Sequence, residues 1–369
     1  MQTRSPAADR VFLMPKLHLL DGEFLNSGRR APKGSIVLKT IESHAAGEPL
    51  RLVIEGWPNI PGASMLAKRS YAKKHYDHWR RLLMSEPRGH RNMYGAALTR
   101  PVTKDGDLGV LFMHNEGFST MCGHGVVALV TSLIEAGSVR AHGANRILHL
   151  DTPAGRVTAT AKMKGTRVEN VSFENVPSFV LARDQNIDVD GVGSVRYDLA
   201  FGGAFYAYCK SSDLRVGLTP ADSQRLVEIG MRIKLAIMTQ RKISHPTQKD
   251  LAFLYGTIIT GEAQSSAANI RNVCIFADGQ IDRSPTGTGV SGHVAIEHAK
   301  GNLRIGKSIT VEAVRTRPVC VLVQCFLARI WQLVSPLDDR SRHRLCRMSW
   351  QPLSRASRLR GRSHSRAIP

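Results

Sequence analysis

Two stretches of the chain repeat the same succession of apolar and polar positions. Each begins with an apolar run that predicts a buried strand, Leu108–Met113 in the first stretch and Val273–Ala277 in the second. A polar turn, a short Gly-rich segment and an apolar run that predicts a helix follow in both. Cys122 and Thr286 occupy matching positions, and a glycine that is predicted to end the helix lies fifteen residues after each of them. Because the two units have matched spacing and lie 164 residues apart, they predict two related halves.

The rest of the pattern predicts a mixture of strands and helices. Long helical stretches cover Ser64–Met84 and Ser223–Gln240, and the run Val126–Ile134 is apolar on nearly every side, as a buried central helix would be. The pattern therefore predicts an α+β fold in which each half is a sheet around one central helix. Further strands are expected at Ser35–Thr40, Leu50–Glu55, Ile147–Leu150, Arg156–Ala161, Val168–Phe173 and Ser308–Val311.

The chain is expected to divide into four parts, with the turn-rich sequence NVPSF at the junction of the two halves. These parts are an irregular N-terminal extension at 1–34, the first half at 35–177, the second half at 178–313 and an arginine-rich tail at 314–369.

Composition narrows the class of protein. The chain has 369 residues, of which 42% are hydrophobic, and this is typical of a globular protein of two domains. No apolar run approaches 18 residues, so a transmembrane helix is not expected. The N-terminus lacks the order of segments found in a secretory signal. Six cysteines without regular spacing do not indicate a disulfide framework, and they favour a reducing, cytoplasmic location.

The net charge of +21 is concentrated in the tail. Residues 314–369 hold twelve Arg, no Lys and two acidic residues, which gives +10 over 56 residues. We expect this segment to be an out-of-frame C-terminus that is poorly ordered. A solvated extension without a role and an RNA-binding arm are the alternatives, and sparse aromatic residues for base stacking disfavour the second. Nucleic acid is therefore not expected as a partner.

The candidate chemistry lies where the two predicted helices begin. Backbone N–H groups at a helix N-terminus are unpaired and carry partial positive charge, so the segments CGHG and TGTG each predict a cradle for an anion. Cys122 stands at such a start, where a thiolate is favoured, which indicates a reactive thiol beside a carboxylate site. A buried structural cysteine at a tight turn is the alternative. Cys209 and Cys274 are flanked by apolar residues and fit that structural role.

Signals for a cofactor or a metal are weak. Residues 287–292 match the pattern GxGxxG of dinucleotide sites, but the segment DRSP separates them from the preceding strand, where a tight turn is needed. His75, Asp77 and His78 fit a solvated helix face better than a metal site, and neither CxxC nor HExxH occurs. We therefore expect no cofactor and no metal.

Several longer motifs resemble those of the proline racemase family, and the resemblance runs from about Ser35 to Glu312. The matching segments are DRSPTGTG, MCGHG, HAAGEP, EPRGH, DTPAG, FGGAFYA and DLAFLYGTI. The resemblance implies a fold like that of diaminopimelate epimerase, with two pseudo-symmetric α/β halves and an active site between them.

The resemblance also implies catalytic residues. Racemases and epimerases of this family use two cysteines, one on each face of the substrate Cα, and here the matching positions hold Cys122 and Thr286. A threonine hydroxyl is too weak an acid to serve as the second base. A branch of the family with this replacement dehydrates trans-3-hydroxy-L-proline to Δ1-pyrroline-2-carboxylate, which implies a cofactor-independent lyase with Cys122 as general base. The implied substrate-binding residues are Gly123, His124, Asp282, Gly287 and Thr288.

Alternatives remain for the function and for single residues. Asp282, implied to bind the ring nitrogen, would otherwise be a turn or N-cap residue. A 4-hydroxyproline 2-epimerase or a proline racemase is the alternative enzyme, and an inactive relative that binds nucleic acid through its tail is the alternative from another class. A homodimer is left open. Family members continue after the segment SITVEAV with strands that return to the first half, so their loss would leave a sheet edge uncovered.

Overall fold

The computed structural model describes residues 38–45, 47–139 and 145–314, together with the backbone of 320–325 and 346–351. The predicted extension 1–34 and most of the arginine-rich tail lie outside these residues. Strands and helices are mixed along the described chain, so the expected α+β class is confirmed.

The first part of the chain forms seven strands and three helices. The strands are β1 (Lys39–Ala45), β2 (Glu48–Glu55), β3 (Tyr94–Thr99), β4 (Leu108–His114), β5 (Asn145–Thr152), β6 (Gly155–Lys164) and β7 (Arg167–Glu174). The helices are α1 (Met65–His75), α2 (Asp77–Met84) and α3 (Gly123–Glu135).

The second part begins with a strand that follows the expected junction. Its strands up to residue 313 are β8 (Phe179–Val189), β9 (Gly193–Phe201), β10 (Phe205–Lys210), β11 (Leu254–Gly261), β12 (Ile270–Phe276), β13 (Gln280–Ile281) and β14 (Ser308–Ala313). The helices are α4 (Ser223–Gln240) and α5 (Gly287–Ala299), with short 3₁₀ turns at Pro220–Asp222 and Lys249–Leu251. Two tail segments form β15 (Cys320–Cys325) and β16 (Cys346–Gln351).

Strand pairing repeats between the two parts. In the order β1 to β7, the second and third strands pair in parallel, as do the fourth and fifth, and the other neighbours are antiparallel. The order β9, β10, β11, β12, β14, β15, β16 follows the same rule. Since β16 pairs with β7 over Arg347–Ser349, the two series are joined edge to edge. The internal repeat thus extends over seven strands in each series.

The two helices that follow β4 and β12 lie inside the molecule. Residues Gly287–Ile296 of α5 are all buried, and α3 is buried along most of its length, which confirms its expected central position. Helix α3 packs on β1 and β7, and α5 packs on β8 and β9. Each helix is enclosed by strands of its own part of the chain, so both N-termini point into the protein interior.

The predicted helix over Ser64–Met84 is wrong in one respect, because the structure breaks it in two at Tyr76. The backbone of Tyr76 leaves the helical region, and its hydroxyl donates to the carbonyl of Asn59. Its ring packs edge-on against Tyr71 at 5.5 Å between centroids. Asp77 then opens α2 with an ion pair to Arg80, which starts the second helix.

Within the described chain, no helix has the length and apolar character needed to cross a lipid bilayer.

Candidate active site

Cys122 caps the first buried helix. Its backbone is extended, and its sulfur accepts a hydrogen bond from the N–H of Gly125 at 3.3 Å, as a serine or aspartate cap does. The side chain is only 6% exposed. This arrangement fixes the sulfur at the open end of α3, where the first N–H groups of the helix lack partners inside it.

Thr286 stands at the matching position before α5, in a strained loop. Its φ of 60° lies in the left-handed region, which a β-branched residue rarely adopts. Local hydrogen bonds hold it there: its N–H donates to the hydroxyl of Ser284, and its own hydroxyl donates to Asp282 Oδ2 at 2.9 Å. Asp282 also accepts from the N–H of Ser284 at 2.7 Å. Asp282 therefore does have the turn role that the sequence left open.

One small cavity brings the predicted residues of both halves together. We call it the central cavity, and Cys122, Gly123, His124, Asp282, Thr286, Gly287 and Thr288 all lie in its wall. The remainder of the wall consists of Tyr94, Met121, Tyr206, Tyr255, Cys274 and Phe276. Its volume is about 20 Å³, which leaves room for about one water molecule. The sequence thus predicted which segments meet, while the roles of their residues stay predictions.

His124 contributes more than a backbone group. Its Nδ1 lies 3.2 Å and its Nε2 3.6 Å from the sulfur of Cys122, and the backbone of Pro49 acts to raise the pKa of the ring. Burial lowers the pKa of His124 against the opposing effect of Asp282, so the ring is neutral near pH 7. A neutral imidazole has one N–H, and in the tautomer that carries it on Nε2 the Nδ1 atom is an acceptor for the thiol proton.

Burial dominates the electrostatics of the thiol. It raises the pKa of Cys122 far above the usual range, and the nearby carboxylate of Asp282 adds to this effect. The N–H of Gly125 and the hydroxyl of Tyr94 oppose it. The helix start does favour the thiolate, as the sequence suggested, but it does not outweigh burial. Formation of the thiolate therefore needs a nearby group that accepts the thiol proton.

Glu48 was missed by the sequence reasoning, although it belongs to the motif HAAGEP. It is 1% exposed, and its Oε2 accepts from the N–H of Arg283 at 2.8 Å. Burial, with repulsion from Asp282, raises the pKa of Glu48 to about 8. The Arg283 guanidinium, with Nε at 3.3 Å, acts in the opposite direction. The signal that could have found this residue is that it is the one acidic side chain of the motif HAAGEP.

Cys274 also occupies a place that its flanking residues did not suggest. It is fully buried in β12, as expected for a structural cysteine, yet it lines the central cavity together with Thr286. Cys209, the other cysteine expected to be structural, is buried outside that wall. Among the described residues, no group of three or more His, Cys, Asp or Glu is placed to hold a metal ion.

Known proteins are similar to this chain in sequence. Residues 40–316 match the family described as proline racemase. A trans-3-hydroxy-L-proline dehydratase from Colwellia psychrerythraea is 46% identical over 279 residues, which are 76% of this chain and 79% of the relative. A protein of the same name from Homo sapiens is 45% identical over 279 residues, which are 74% of this chain and 79% of the relative.

Solved structures share the fold. A hydroxyproline epimerase from Agrobacterium vitis with bound trans-4-hydroxy-L-proline is 26% identical and superposes with a TM-score of 0.77, over 85% of this chain and 89% of that one. A probable proline racemase from Agrobacterium radiobacter with bound carbonate is also 26% identical and has a TM-score of 0.78, over 85% and 90%. With a family match and relatives of this identity over three quarters of its length, the chain belongs to the proline racemase family.

Proposed function

We propose that this chain is a cofactor-independent hydro-lyase that converts trans-3-hydroxy-L-proline into Δ1-pyrroline-2-carboxylate. The observation that carries the proposal is the pair of helix caps in the central cavity, Cys122 on one side and Thr286 on the other. One wall offers a thiol, whereas the other offers an alcohol that is hydrogen-bonded to Asp282. Relatives named for this dehydration are 45–46% identical, which supports the same assignment.

The stereochemistry of the substrate suits a single base. In trans-3-hydroxy-L-proline the hydroxyl lies opposite the carboxylate, so it shares a face of the ring with the Cα hydrogen. The thiolate of Cys122 removes that proton, and the electron pair of the C–H bond forms the Cα=C3 double bond as the C3–O bond breaks. The proton on sulfur then passes to the departing hydroxide, which leaves as water. The resulting enamine tautomerises to Δ1-pyrroline-2-carboxylate.

His124 prepares the thiolate. Its nearer nitrogen, 3.2 Å from Sγ, takes the thiol proton, and Asp282 and the Pro49 carbonyl favour the imidazolium that forms against the burial that disfavours it. This role is additional to the backbone donor that the family resemblance implied. It matters because burial otherwise keeps Cys122 protonated.

The remaining groups hold the substrate. The first N–H groups of α3 and α5 receive its carboxylate from both sides and stabilise the charge that develops as Cα ionises. These donors are Gly123 and His124 in one half and Gly287 and Thr288 in the other. Asp282 binds the ring ammonium, because a carboxylate has about four acceptor sites and the loop uses two of them.

Three imino acids test the proposal. The purified chain is incubated with trans-3-hydroxy-L-proline, trans-4-hydroxy-L-proline and L-proline, and both water loss and inversion at Cα are followed. The proposal predicts dehydration of the first compound and no inversion of the other two. Formation of D-proline or of the 4-hydroxy epimer would instead support the racemase or epimerase alternative.

Other parts of the sequence prediction belong to this proposal as well. A cytoplasmic location and a homodimer stay predictions. The alternative of an inactive relative that binds RNA through its tail predicts salt-dependent RNA binding by a chain that turns over none of the three imino acids.

A further inference from the structure

A second, larger cleft lies between the two halves and shares a wall with the central cavity. We call it the outer cleft. Arg69 and Phe118 line it on the side of the first half, and Lys234, Phe253 and Tyr255 line it on the other side. Its volume of about 560 Å³ lies within the range of roughly 300–1,000 Å³ that is typical of small-molecule sites. Space for a ligand the size of an imino acid therefore exists directly beside the central cavity.

Two cations in this cleft keep unused hydrogen-bond donors. Arg69 donates from Nε to the carbonyl of Phe118 at 2.8 Å, and its guanidinium lies 5.3 Å from the centre of the Phe253 ring. Lys234 is 7% exposed and donates to the carbonyl of Ala277 at 2.6 Å. Within the described residues neither side chain has a carboxylate within ion-pair distance. Both cations are therefore available to an anionic ligand.

The pKa of a neighbouring histidine indicates that this wall has a positive electrostatic potential. Burial, together with Arg80, Lys234 and Arg69, lowers the pKa of His114 to about 3. His114 lines the outer cleft, and it is neutral near pH 7. His114 therefore adds no positive charge to the wall, and the positive potential there comes from the neighbouring cations.

Acidic side chains stand nearer to solvent in the same cleft. Glu116 and Asp250 are exposed, and they act on Lys234 and Arg69 respectively through space rather than through an ion pair. Lys73 is also exposed and also lines the cleft, so the solvent side carries charges of both signs, while Arg69 and Lys234 are less exposed. A zwitterion fits with its carboxylate toward Arg69 and Lys234 and its ammonium toward Glu116 and Asp250.

Tyr255 separates the two spaces. It lines both of them and stacks on Phe276 at 5.5 Å between centroids. The central cavity behind it holds about one water molecule, so the cavity must widen before an imino acid reaches Cys122, and Tyr255 is the wall residue that it shares with the outer cleft. The outer cleft offers room for the ligand on the near side of that wall.

We propose that the outer cleft is a docking site where a zwitterionic imino acid binds before it passes Tyr255, with its carboxylate held by Arg69 and Lys234. The proposal rests on the proposed function, since it takes the same class of substrate. It assigns to these cations the capture of the substrate and no part in the chemical step.

The experiment compares the full-length variants Arg69→Gln, Arg69→Lys and Lys74→Gln in dehydration of trans-3-hydroxy-L-proline. Lys74 is an exposed residue of α1 outside the wall of the cleft and serves as the matched control. We expect Arg69→Gln to lower kcat/KM about tenfold with kcat within twofold, because charge steering changes capture rather than chemistry. Arg69→Lys should recover most of the loss, and added salt should lower kcat/KM of the wild type more than that of Arg69→Gln.

Two results would overturn the docking site. One is a kcat/KM for Arg69→Gln equal to that of Lys74→Gln, and the other is a fall confined to kcat. A wild type that releases no water refutes the proposed function instead. In that case the same variants are compared by calorimetric titration with trans-3-hydroxy-L-proline, where binding lost in Arg69→Gln alone supports the docking site and equal isotherms refute it.

Discussion

Gly123 and Gly287, the first residues of the two buried helices, come together across the junction of the halves. A Cβ placed on Gly123 would lie 2.9 Å from the Cα of Gly287 and 3.3 Å from the ring of Phe173. Only a residue without a side chain allows the two helix starts to approach this closely. The approach aims two sets of unpaired N–H groups at one point, which neither half could do alone.

Gly123→Ala should therefore reduce activity more than any loss of folded protein explains. The added methyl forces the helix starts apart by a few tenths of an ångström or more, and carboxylate binding depends on both. We expect kcat/KM to fall about 100-fold. Gly117→Ala is the control for stability, since a Cβ there meets nothing within 4 Å. Equal kcat/KM for Gly123→Ala and the wild type would contradict the shared carboxylate site.

Cys122→Ser should abolish dehydration. A serine hydroxyl in the same buried place is a far weaker acid than a thiol, so His124 no longer yields a usable base. We expect a loss of about 10³-fold or more in kcat, measured by product release from trans-3-hydroxy-L-proline. Cys209→Ala is the matched control, because Cys209 is equally buried but lies outside the central cavity. Substantial turnover by Cys122→Ser would remove the thiol from the mechanism.

Much of the fold followed from spacing within the sequence. The repeat around Cys122 and Thr286 predicted two buried helices with matched starts, because glycine spacing and apolar runs are local signals. The break at Tyr76 was not predictable, since it depends on contacts with Tyr71 and Asn59 rather than on helix propensity.

The environment of the site was harder to predict than its members. Glu48 contacts Arg283, which lies 235 residues further along the chain, and no local sequence pattern predicts such a contact. The apolar neighbours of Cys274 predict a buried structural residue. Only the assembled sheet shows which face of β12 borders the cavity. The direction of the pKa of Cys122 likewise depends on burial from all sides, which a helix start alone does not reveal.

His124→Gln should change the pH dependence of the reaction. Without an imidazole to accept the thiol proton, burial keeps Cys122 protonated at neutral pH. We expect kcat/KM at pH 7 to fall between about 10² and 10⁴-fold and to rise steadily up to the highest pH at which the protein stays folded. The wild type should level off at lower pH. The measurement is kcat/KM between pH 6 and 10, and parallel profiles for the two proteins would rule out this role of His124.

Glu48→Gln should change how stability depends on pH. The folded-state pKa of Glu48 is raised, to about 8, so below about pH 4.5 the group is protonated in both states and stability there is at its highest and does not change with pH through this group. Between about pH 5 and 8 the unfolded chain ionises first, and folding stability falls as pH rises. One pKa unit corresponds to about 1.4 kcal/mol, so the effect is on the order of a few kcal/mol. Glutamine does not titrate and removes this dependence.

Urea denaturation at pH 5, 6.5 and 8 measures the effect, because these values span the interval between the ordinary glutamate pKa of 4.5 and the folded-state pKa of about 8. The free energy of unfolding of Glu48→Gln should gain on that of the wild type as pH rises. Glu55→Gln is the control, because Glu55 is exposed and pairs with Lys39 at 2.7 Å. A constant difference between Glu48→Gln and the wild type would show that Glu48 is ionised in both states.

Thr286→Cys should add chemistry on the opposite face of the substrate. The variant puts a thiol at the start of α5, facing the cavity that Cys122 borders from α3, and it removes a β-branched residue from a left-handed conformation. We expect L-proline in D₂O to acquire deuterium at Cα and to yield D-proline, neither of which the wild type should produce. Thr286→Ser is the matched control, since it keeps an alcohol that donates to Asp282. Absence of exchange in folded Thr286→Cys would mean that the two helix starts do not address one carbon atom from opposite sides, and the single-base mechanism would lose its geometric basis.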